Sequence, residues 1–183
     1  MTTRFDQTLE TILGQYKLAF STKSFYEESV EEDDLMQVFG LTQATKAENK
    51  QYWGRELGMC WQRLVVALCR EHCPNFAGSI RDGNDEICDL VIGKIAIDTK
   101  YRIGSGDSGT LKKFRQYGVK LQAAGYMPLL LILRNDNLPQ AIKACQSGGW
   151  EVITGNNSFA YLEQQTGFDL QRWLQVRKRR YPV

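Results

Sequence analysis

The sequence predicts an α/β fold, with a mixed central sheet flanked by helices, on three observations. Helix-like and strand-like patterns alternate in the order helix, hairpin, helix, buried strand, helix, strand and helix. Residues 127–133 are almost all apolar, as expected of a strand that is covered on both faces. Two further apolar runs flank Gly93-Lys94 and indicate a hairpin, so the sheet should contain antiparallel as well as parallel strands.

The first half of the chain is mainly helical by its periodicity. Residues 4–20 carry one apolar face at helical spacing, and a longer amphipathic helix begins near Trp53 and ends shortly before Pro74. The acidic stretch "EESVEEDD", residues 27–34, is expected to be a solvated loop or the start of a helix. A short strand is predicted in "NFAGSI", residues 75–80.

The second half alternates strands and helices around a Gly-rich loop. "GSGDSG" precedes a helix with Asp107 or Ser108 as its N-cap and Gly125 as its stop. The segments that follow the buried strand predict, in order, a helix (PQAIKACQSG), a strand (WEVIT) and two closing helices (SFAYLEQQT and DLQRWLQVRKRR).

Composition narrows the class of protein. A chain of 183 residues suffices for one domain with a substantial core. Since no apolar run approaches 18 residues and the N-terminus lacks the layout of a signal peptide, we expect a cytoplasmic protein without a membrane segment. The five cysteines are an odd number and are expected to be free thiols. The "CREHC" run has no second ligand pair for zinc, so we expect a structural role for it.

Charge is unevenly distributed along the chain. Residues 1–60 carry a net charge of −4, whereas residues 61–183 carry +6 and end near the basic run "RKRR". This excess is compatible with binding of a polyanion, although a solvated basic face explains it equally well.

The hairpin gathers polar residues on one face. If Gly93-Lys94 is the turn, then Leu90 faces Ile97 and Asp89 faces Asp98, with Lys100 on the same face by alternation. The opposite face is apolar except for Thr99. Two close carboxylates need a positive partner, and oxygen ligands of this kind suit a hard cation such as Mg²⁺. A salt-bridged surface hairpin is the competing interpretation, and Asp85 and Glu86 are rivals of Asp89 for the first acid.

The pattern Asp89, an eight-residue spacer and then Asp98-Thr99-Lys100 resembles the active-site motif of the PD-(D/E)XK nuclease superfamily. Cys88 stands where the motif name has proline, and the second acid is Asp. The resemblance covers roughly residues 53–135, and "DTKYRIGSGDSGTLKKFRQYG" is most similar to type II restriction endonucleases. It implies a single nuclease domain with a restriction-endonuclease-like core, divided into a helical part at about 1–75, a catalytic core at about 76–135 and a C-terminal part at about 136–183.

The resemblance also implies an activity and partners. A magnesium-dependent, sequence-specific endonuclease would cut double-stranded DNA, with Mn²⁺ as a substitute metal, as a homodimer with a cognate DNA methyltransferase as its genetic partner. The implied metal ligands are Asp89, Asp98 and the backbone carbonyl of Thr99, with Lys100 as a further catalytic residue. A structure-selective nuclease, such as a junction resolvase or repair nuclease, and an inactive DNA-binding module on the same fold are the alternatives.

Further candidate residues lie on both sides of the motif. Glu56, on the helix before the hairpin, could supply another catalytic carboxylate or be a solvated helix acid. Candidate DNA contacts follow the active-site strand directly and continue into the next helix, and they are Tyr101, Arg102, Ser105, Asp107, Lys112 and Lys113.

Overall fold

The computed structural model describes residues 11, 13–15, 17, 28–104 and 108–183. The helices from residue 28 onward are α1 (Asp34–Phe39), α2 (Gln43–Glu48), α3 (Lys50–His72), α4 (Ser108–Ala123), α5 (Pro139–Ser147), α6 (Asn156–Thr166) and α7 (Leu170–Gln175). The strands are β1 (Phe76–Ala77), β2 (Ile80–Asp82), β3 (Asp85–Cys88), β4 (Leu90–Ile92), β5 (Ile95–Lys100), β6 (Met127–Ile132) and β7 (Glu151–Thr154). No helix in these ranges is long and apolar enough to cross a membrane.

Five strands form a mixed sheet in the order β1-β4-β5-β6-β7. β4 runs antiparallel to both of its neighbours, β1 and β5, whereas β5, β6 and β7 run parallel to one another. Leu90 pairs with Ile97 and Ile92 with Ile95, as the Gly93-Lys94 turn predicts. The α/β class and the mixed sheet are therefore confirmed. β2 and β3 form a separate two-stranded ribbon just before β4.

Helices cover both faces of the sheet. On one face, Trp61 and Val65 of α3 pack with Leu90, Ile97 and Leu131. The other face packs against α4 and α5 through a second apolar cluster that includes Val91, Ala96, Phe114, Leu130 and Cys145. The hairpin face that carries Asp98 and Lys100 is thus covered by helices over most of its length. Val91 and Ala96 on that face are buried, and only the end of β5, at Asp98 and Lys100, is partly exposed to solvent.

The predicted buried strand and the predicted thiols are both confirmed. β6 is central in the core, and Leu129 to Leu133 are each at most 4% exposed. All five cysteines are free, and four of them are buried.

The acidic stretch before α1 is not a solvated loop throughout. Glu28 forms an ion pair with Lys46, and Asp33 accepts a hydrogen bond from Arg134 over 3.0 Å. Lys46 and Arg134 are themselves buried. These pairs attach the N-terminal segment to the ends of β5 and β6, because Tyr101 donates its hydroxyl proton to Asp33 and accepts a hydrogen bond from Lys46.

Candidate active site

Asp98 and Lys100 lie at the C-terminal end of β5, the middle strand of the sheet. The Lys100 ammonium is 2.6 Å from Asp98 Oδ2 and donates to the Thr99 carbonyl oxygen over 3.0 Å. The Asp98 side chain is 13% exposed and that of Lys100 is 35% exposed. A carboxylate and a backbone carbonyl therefore converge on one cation at a position that solvent can reach.

Asp89 lies beside this pair at the point where β4 begins. The regular ladder ends at Leu90–Ile97, and Asp89 forms a bend whose N–H donates to the Ile97 carbonyl over 2.9 Å. Its Oδ2 accepts hydrogen bonds from the Thr99 N–H at 2.6 Å and the Thr99 hydroxyl at 2.5 Å. The sequence predicts that Asp89 stands directly opposite Asp98. In the structure, the Asp89 carboxylate is instead hydrogen-bonded to Thr99, the residue after Asp98.

Gln62 is a member of the site that the sequence pattern does not predict. Its Nε2 donates to Asp89 Oδ1 over 2.7 Å. Trp61, the residue before Gln62, is buried and holds α3 against the sheet, because its indole N–H donates to the Leu131 carbonyl over 3.3 Å. Gln62 is adjacent to Trp61 on the apolar stripe, but Glu56 is adjacent to Leu57 in the same way, so the sequence pattern alone does not single out Gln62.

Glu56 is not brought into the cluster. Its side chain is 44% exposed and pairs with Arg55 over 3.0 Å. It lines a surface groove beside Met59 and Arg63. α3 therefore contributes an amide to the site, from Gln62, and the exposed Glu56 matches the alternative of a solvated helix acid.

Burial and charge crowding both act on the acids. Burial, and then the nearby Asp98, raise the pKa of Asp89 to about 6, against the opposing effects of Lys100 and the Thr99 hydrogen bonds. Burial would lower the pKa of Lys100, but Asp98 and Asp89 outweigh it and raise that pKa. The Lys100 ammonium pairs directly with Asp98, and the nearby Asp89 adds a second negative charge, so the cluster is short of positive charge.

The residues present fit a hard divalent cation. The Asp98 carboxylate and the Thr99 carbonyl both contact the Lys100 ammonium. Asp89 Oδ1 accepts one hydrogen bond, from Gln62. In the described part of the chain, no group of three or more His, Cys, Asp or Glu side chains is arranged so that it could hold a metal ion. Mg²⁺ is usually bound by one or two carboxylates, with carbonyl, water or phosphate oxygens completing its coordination shell.

The rival acids lie outside the cluster. Asp85 and Glu86 belong to the β2–β3 ribbon and are exposed. Asp85 is 3.7 Å from Lys113, and Glu86 is 3.6 Å from Arg81. This placement favours Asp89 as the first acid of the motif.

Two of the predicted DNA contacts point into the protein. Tyr101 is 5% exposed, and its hydroxyl is bonded within the Asp33 network. Arg102 is 13% exposed and donates from Nε to the carbonyl and the carboxylate of Asp136 at 2.9 and 3.0 Å. Carboxylates distant in sequence bind both side chains, and their contact with DNA stays a prediction.

The remaining predicted contacts divide into two groups. Lys112 and Lys113 are exposed on the first turns of α4, where Lys113 forms the ion pair with Asp85. Ser105 and Asp107 lie outside the described residues. His72 stacks on Phe168 with ring centroids 5.8 Å apart, in keeping with the structural role expected for the "CREHC" run.

A cleft of about 480 Å³ lies away from the cluster, at the C-terminal ends of β6 and β7. Glu31, Glu32, Asp34 and Asp136 line it together with Arg134. A cleft with this excess of carboxylates would repel a nucleic acid backbone. Asp89, Asp98 and Lys100 do not line this acidic cleft.

Comparisons of the chain with protein-family models, with curated proteins and with solved structures found no match.

Proposed function

We propose that this chain is a magnesium-dependent DNA endonuclease of the PD-(D/E)XK type. One observation carries the proposal. Asp98, Thr99 and Lys100 present a carboxylate, a carbonyl and an ammonium at the end of the middle strand, with the Asp89 carboxylate bonded to Thr99. Few structural roles call for a second, partly buried carboxylate beside the Asp98–Lys100 ion pair, because surface ion pairs contribute little to stability.

The strand order supports the same proposal. An antiparallel meander of β1, β4 and β5 is followed by α4 and then by β6, parallel to β5. This is the succession that the resemblance to the superfamily implies for a restriction-endonuclease-like core. Asp89 directly precedes the second strand of that meander, and Asp98 and Lys100 lie on its third strand.

Each residue has a distinct role in the proposal. Asp98, Asp89 and the Thr99 carbonyl would hold Mg²⁺ or Mn²⁺, which supplies Lewis-acid stabilisation and a more acidic bound water. The Lys100 ammonium is accessible enough to neutralise a phosphate oxygen or to orient the attacking water. Gln62 and Thr99 fix the Asp89 carboxylate through three hydrogen bonds.

The substrate in this proposal is double-stranded DNA. Lys112 and Lys113 are exposed on α4, which packs on the sheet, and in this proposal they would contact DNA phosphates. A type II restriction enzyme is the specific form proposed, acting as a homodimer beside a cognate methyltransferase. A structure-selective nuclease would use the same cluster, and an inactive DNA-binding module would have no need of it.

Plasmid cleavage tests the proposal. The full-length chain should cut supercoiled DNA in Mg²⁺ and not in excess EDTA, whereas Lys100→Ala should lose at least a hundredfold in rate and still bind DNA. Lys94→Ala is the matched control, because Lys94 is exposed at the turn of the same hairpin. No cleavage of any DNA by the wild type, or equal rates in both lysine variants, would overturn the proposal. Sequenced ends separate a fixed recognition sequence from cutting at junctions or lesions.

A further inference from the structure

Two lysines of α4 are engaged by acids from the β2–β3 ribbon, whereas a third lysine is not. Lys113 is 3.7 Å from Asp85, and Lys120 donates a hydrogen bond to Asp82. Lys112 is exposed and has no ion pair with any of the described residues. The helix therefore has one lysine that is open to a phosphate and two that already face a carboxylate.

The end of the ribbon meets a single face of α4. Lys113, Tyr117 and Lys120 share that face, because their spacings of four and three residues match the helical repeat. The hydrogen bond to Asp82 raises the pKa of Lys120, and the negative charge of Asp85 adds to this effect. Burial, and then a hydrogen bond to Asp85, raise the pKa of Tyr117. The two aspartates thus act together on one stripe of the helix.

The ribbon is attached to the protein by its apolar residues rather than by these charges. Ile87 and Cys88 are buried in the same apolar cluster as Phe114 and Leu121 of α4. The two ion pairs are about half exposed, with side-chain exposures between 48% and 60%. Exposed pairs of this kind contribute little to stability. The aspartates at the end of the ribbon are therefore not needed to hold it in place.

The ribbon carries more negative charge than it neutralises by itself. Arg81 and Glu86 are cross-strand partners and form an ion pair of 3.6 Å. Asp82 and Asp85 also oppose each other directly across the two strands. Like charges in that position repel each other. The two aspartates consequently gain from cations outside the ribbon, and α4 supplies these cations.

We propose that Asp82 and Asp85 compete with DNA phosphates for Lys113 and Lys120, so that the ribbon limits non-specific binding of DNA to α4. This inference rests on the DNA binding proposed above and concerns its regulation. Carboxylate and phosphate oxygens both accept charge-assisted hydrogen bonds from an ammonium, so each acid takes the place of a phosphate. Complexes that depend on phosphate contacts alone lose a larger share of their binding free energy than complexes that also contact bases.

Anisotropy of a labelled DNA duplex of arbitrary sequence, measured in EDTA, gives the affinity without cleavage. The double variant Asp82→Asn/Asp85→Asn should bind about 10-fold more tightly than the wild type, because two lysines become available to phosphates. Glu48→Gln/Glu71→Gln is the matched control. It removes the same two charges at exposed positions that have no ion pair with any described residue, and it should gain no more than about 2-fold, because distant exposed charges are screened.

A double-mutant cycle separates competition for the lysines from a general effect of charge. In the background Lys113→Gln/Lys120→Gln, the change of both aspartates to asparagine should no longer tighten binding beyond the gain of the matched control. Circular dichroism checks that every variant keeps the fold. A gain of equal size in both backgrounds would overturn the competition, because the acids would then act on DNA without the lysines.

Amine acylation followed by mass spectrometry tests the contact without DNA. Lys120 should react several-fold faster in Asp82→Asn than in the wild type, since the hydrogen bond that raises its pKa is lost, and Lys112 is the internal reference. An unchanged ratio of the two rates would refute the contact. A wild type that binds DNA, without any gain in the aspartate double variant, would overturn this inference and leave the proposed function intact. Absence of DNA binding in every variant would overturn both.

Discussion

Gln62 donates its amide proton to Asp89 Oδ1 over 2.7 Å, and this bond joins α3 to the polar end of the central hairpin. The other carboxylate oxygen, Oδ2, accepts both Thr99 donors. Asp89 is thus held by three hydrogen bonds from two elements, which fixes its rotamer before any cation arrives. Hydrogen bonds that orient metal ligands are often nearly as important as the ligands themselves.

The first prediction concerns this orientation. Gln62→Leu should weaken Mg²⁺ or Mn²⁺ binding by about 10–100-fold, because a hydrogen bond to a ligating carboxylate is lost. Isothermal titration calorimetry measures the affinity independently of cleavage. Gln51→Leu, an exposed change on the same helix, should leave the affinity unchanged. Wild-type metal affinity in Gln62→Leu would show that the bond does not position the ligand.

The second prediction is that the buried charge of Asp89, which the proposed cation site needs, lowers the free energy of unfolding. Its folded pKa of about 6 lies above the ordinary value of 3.8, so the folded state binds more protons, and ionisation destabilises the fold as pH rises through that range. Without divalent cations, Asp89→Asn should therefore be more stable than the wild type at about pH 8, by roughly 1–3 kcal/mol, and should lose this advantage near pH 4. Urea unfolding at the two pH values measures the difference.

A matched control separates burial from general charge effects in that experiment. Asp85→Asn also removes one carboxylate, but Asp85 is exposed on the β2–β3 ribbon. It should change stability by no more than about 0.5 kcal/mol at either pH. If Asp89→Asn is less stable than the wild type at high pH, then the three hydrogen bonds outweigh the cost of burying the charge.

The hairpin could be predicted from sequence because its information is local. A two-residue Gly93-Lys94 turn between two apolar runs leaves one register, and Leu90 pairs with Ile97 as expected. Asp89 departs from that ladder at a bend, which no alternation pattern reveals. The choice between Glu56 and Gln62 likewise depends on how α3 crosses the sheet. Both residues flank the apolar stripe, so helical periodicity alone cannot distinguish them.

The buried ionic network could not be predicted for a different reason. Charges in "EESVEEDD" and at Arg102 suggest solvent exposure when only neighbouring residues are considered. Their burial depends on partners far along the chain, such as Arg134 with Asp33 and Lys46 with Glu28. Folding brings these opposite charges together, and each pairing compensates the desolvation of both members.

The third prediction concerns the two acids as a unit. Asp89→Asn and Asp98→Asn should each abolish nearly all cleavage and weaken cation binding, and the double variant should be little worse than either. Because both carboxylates are proposed to bind the same cation, removing either one should already abolish its binding, so the losses of activity should not add. Ca²⁺ should support DNA binding with little cutting, whereas Mg²⁺ and Mn²⁺ should support both. Additive losses in the double variant would indicate separate roles for the acids.

The last prediction tests the network that anchors the end of β5. Arg134 is 5% exposed and donates to Asp136 Oδ1 at 2.8 Å, Asp33 Oδ2 at 3.0 Å and two backbone carbonyls. Burial would raise the pKa of Asp136, but hydrogen bonds from Arg134 and the Ser29 N–H lower it below its ordinary value. The ionised Asp136 therefore stabilises the fold at neutral pH, and this contribution is lost as pH falls through its lowered pKa.

Arg134→Met keeps much of the side-chain length but removes the charge, leaving buried carboxylates without their partner. It should lower the free energy of unfolding by about 3–5 kcal/mol near neutral pH. The loss should shrink toward about pH 4, because in the variant burial raises the pKa of Asp136 and protonation relieves the unpaired charge. Arg115→Met, an exposed arginine on α4, serves as the control and should change little. Chemical denaturation across this pH range measures both variants. A pH-independent loss would mean that Arg134 acts through packing rather than through its ion pairs.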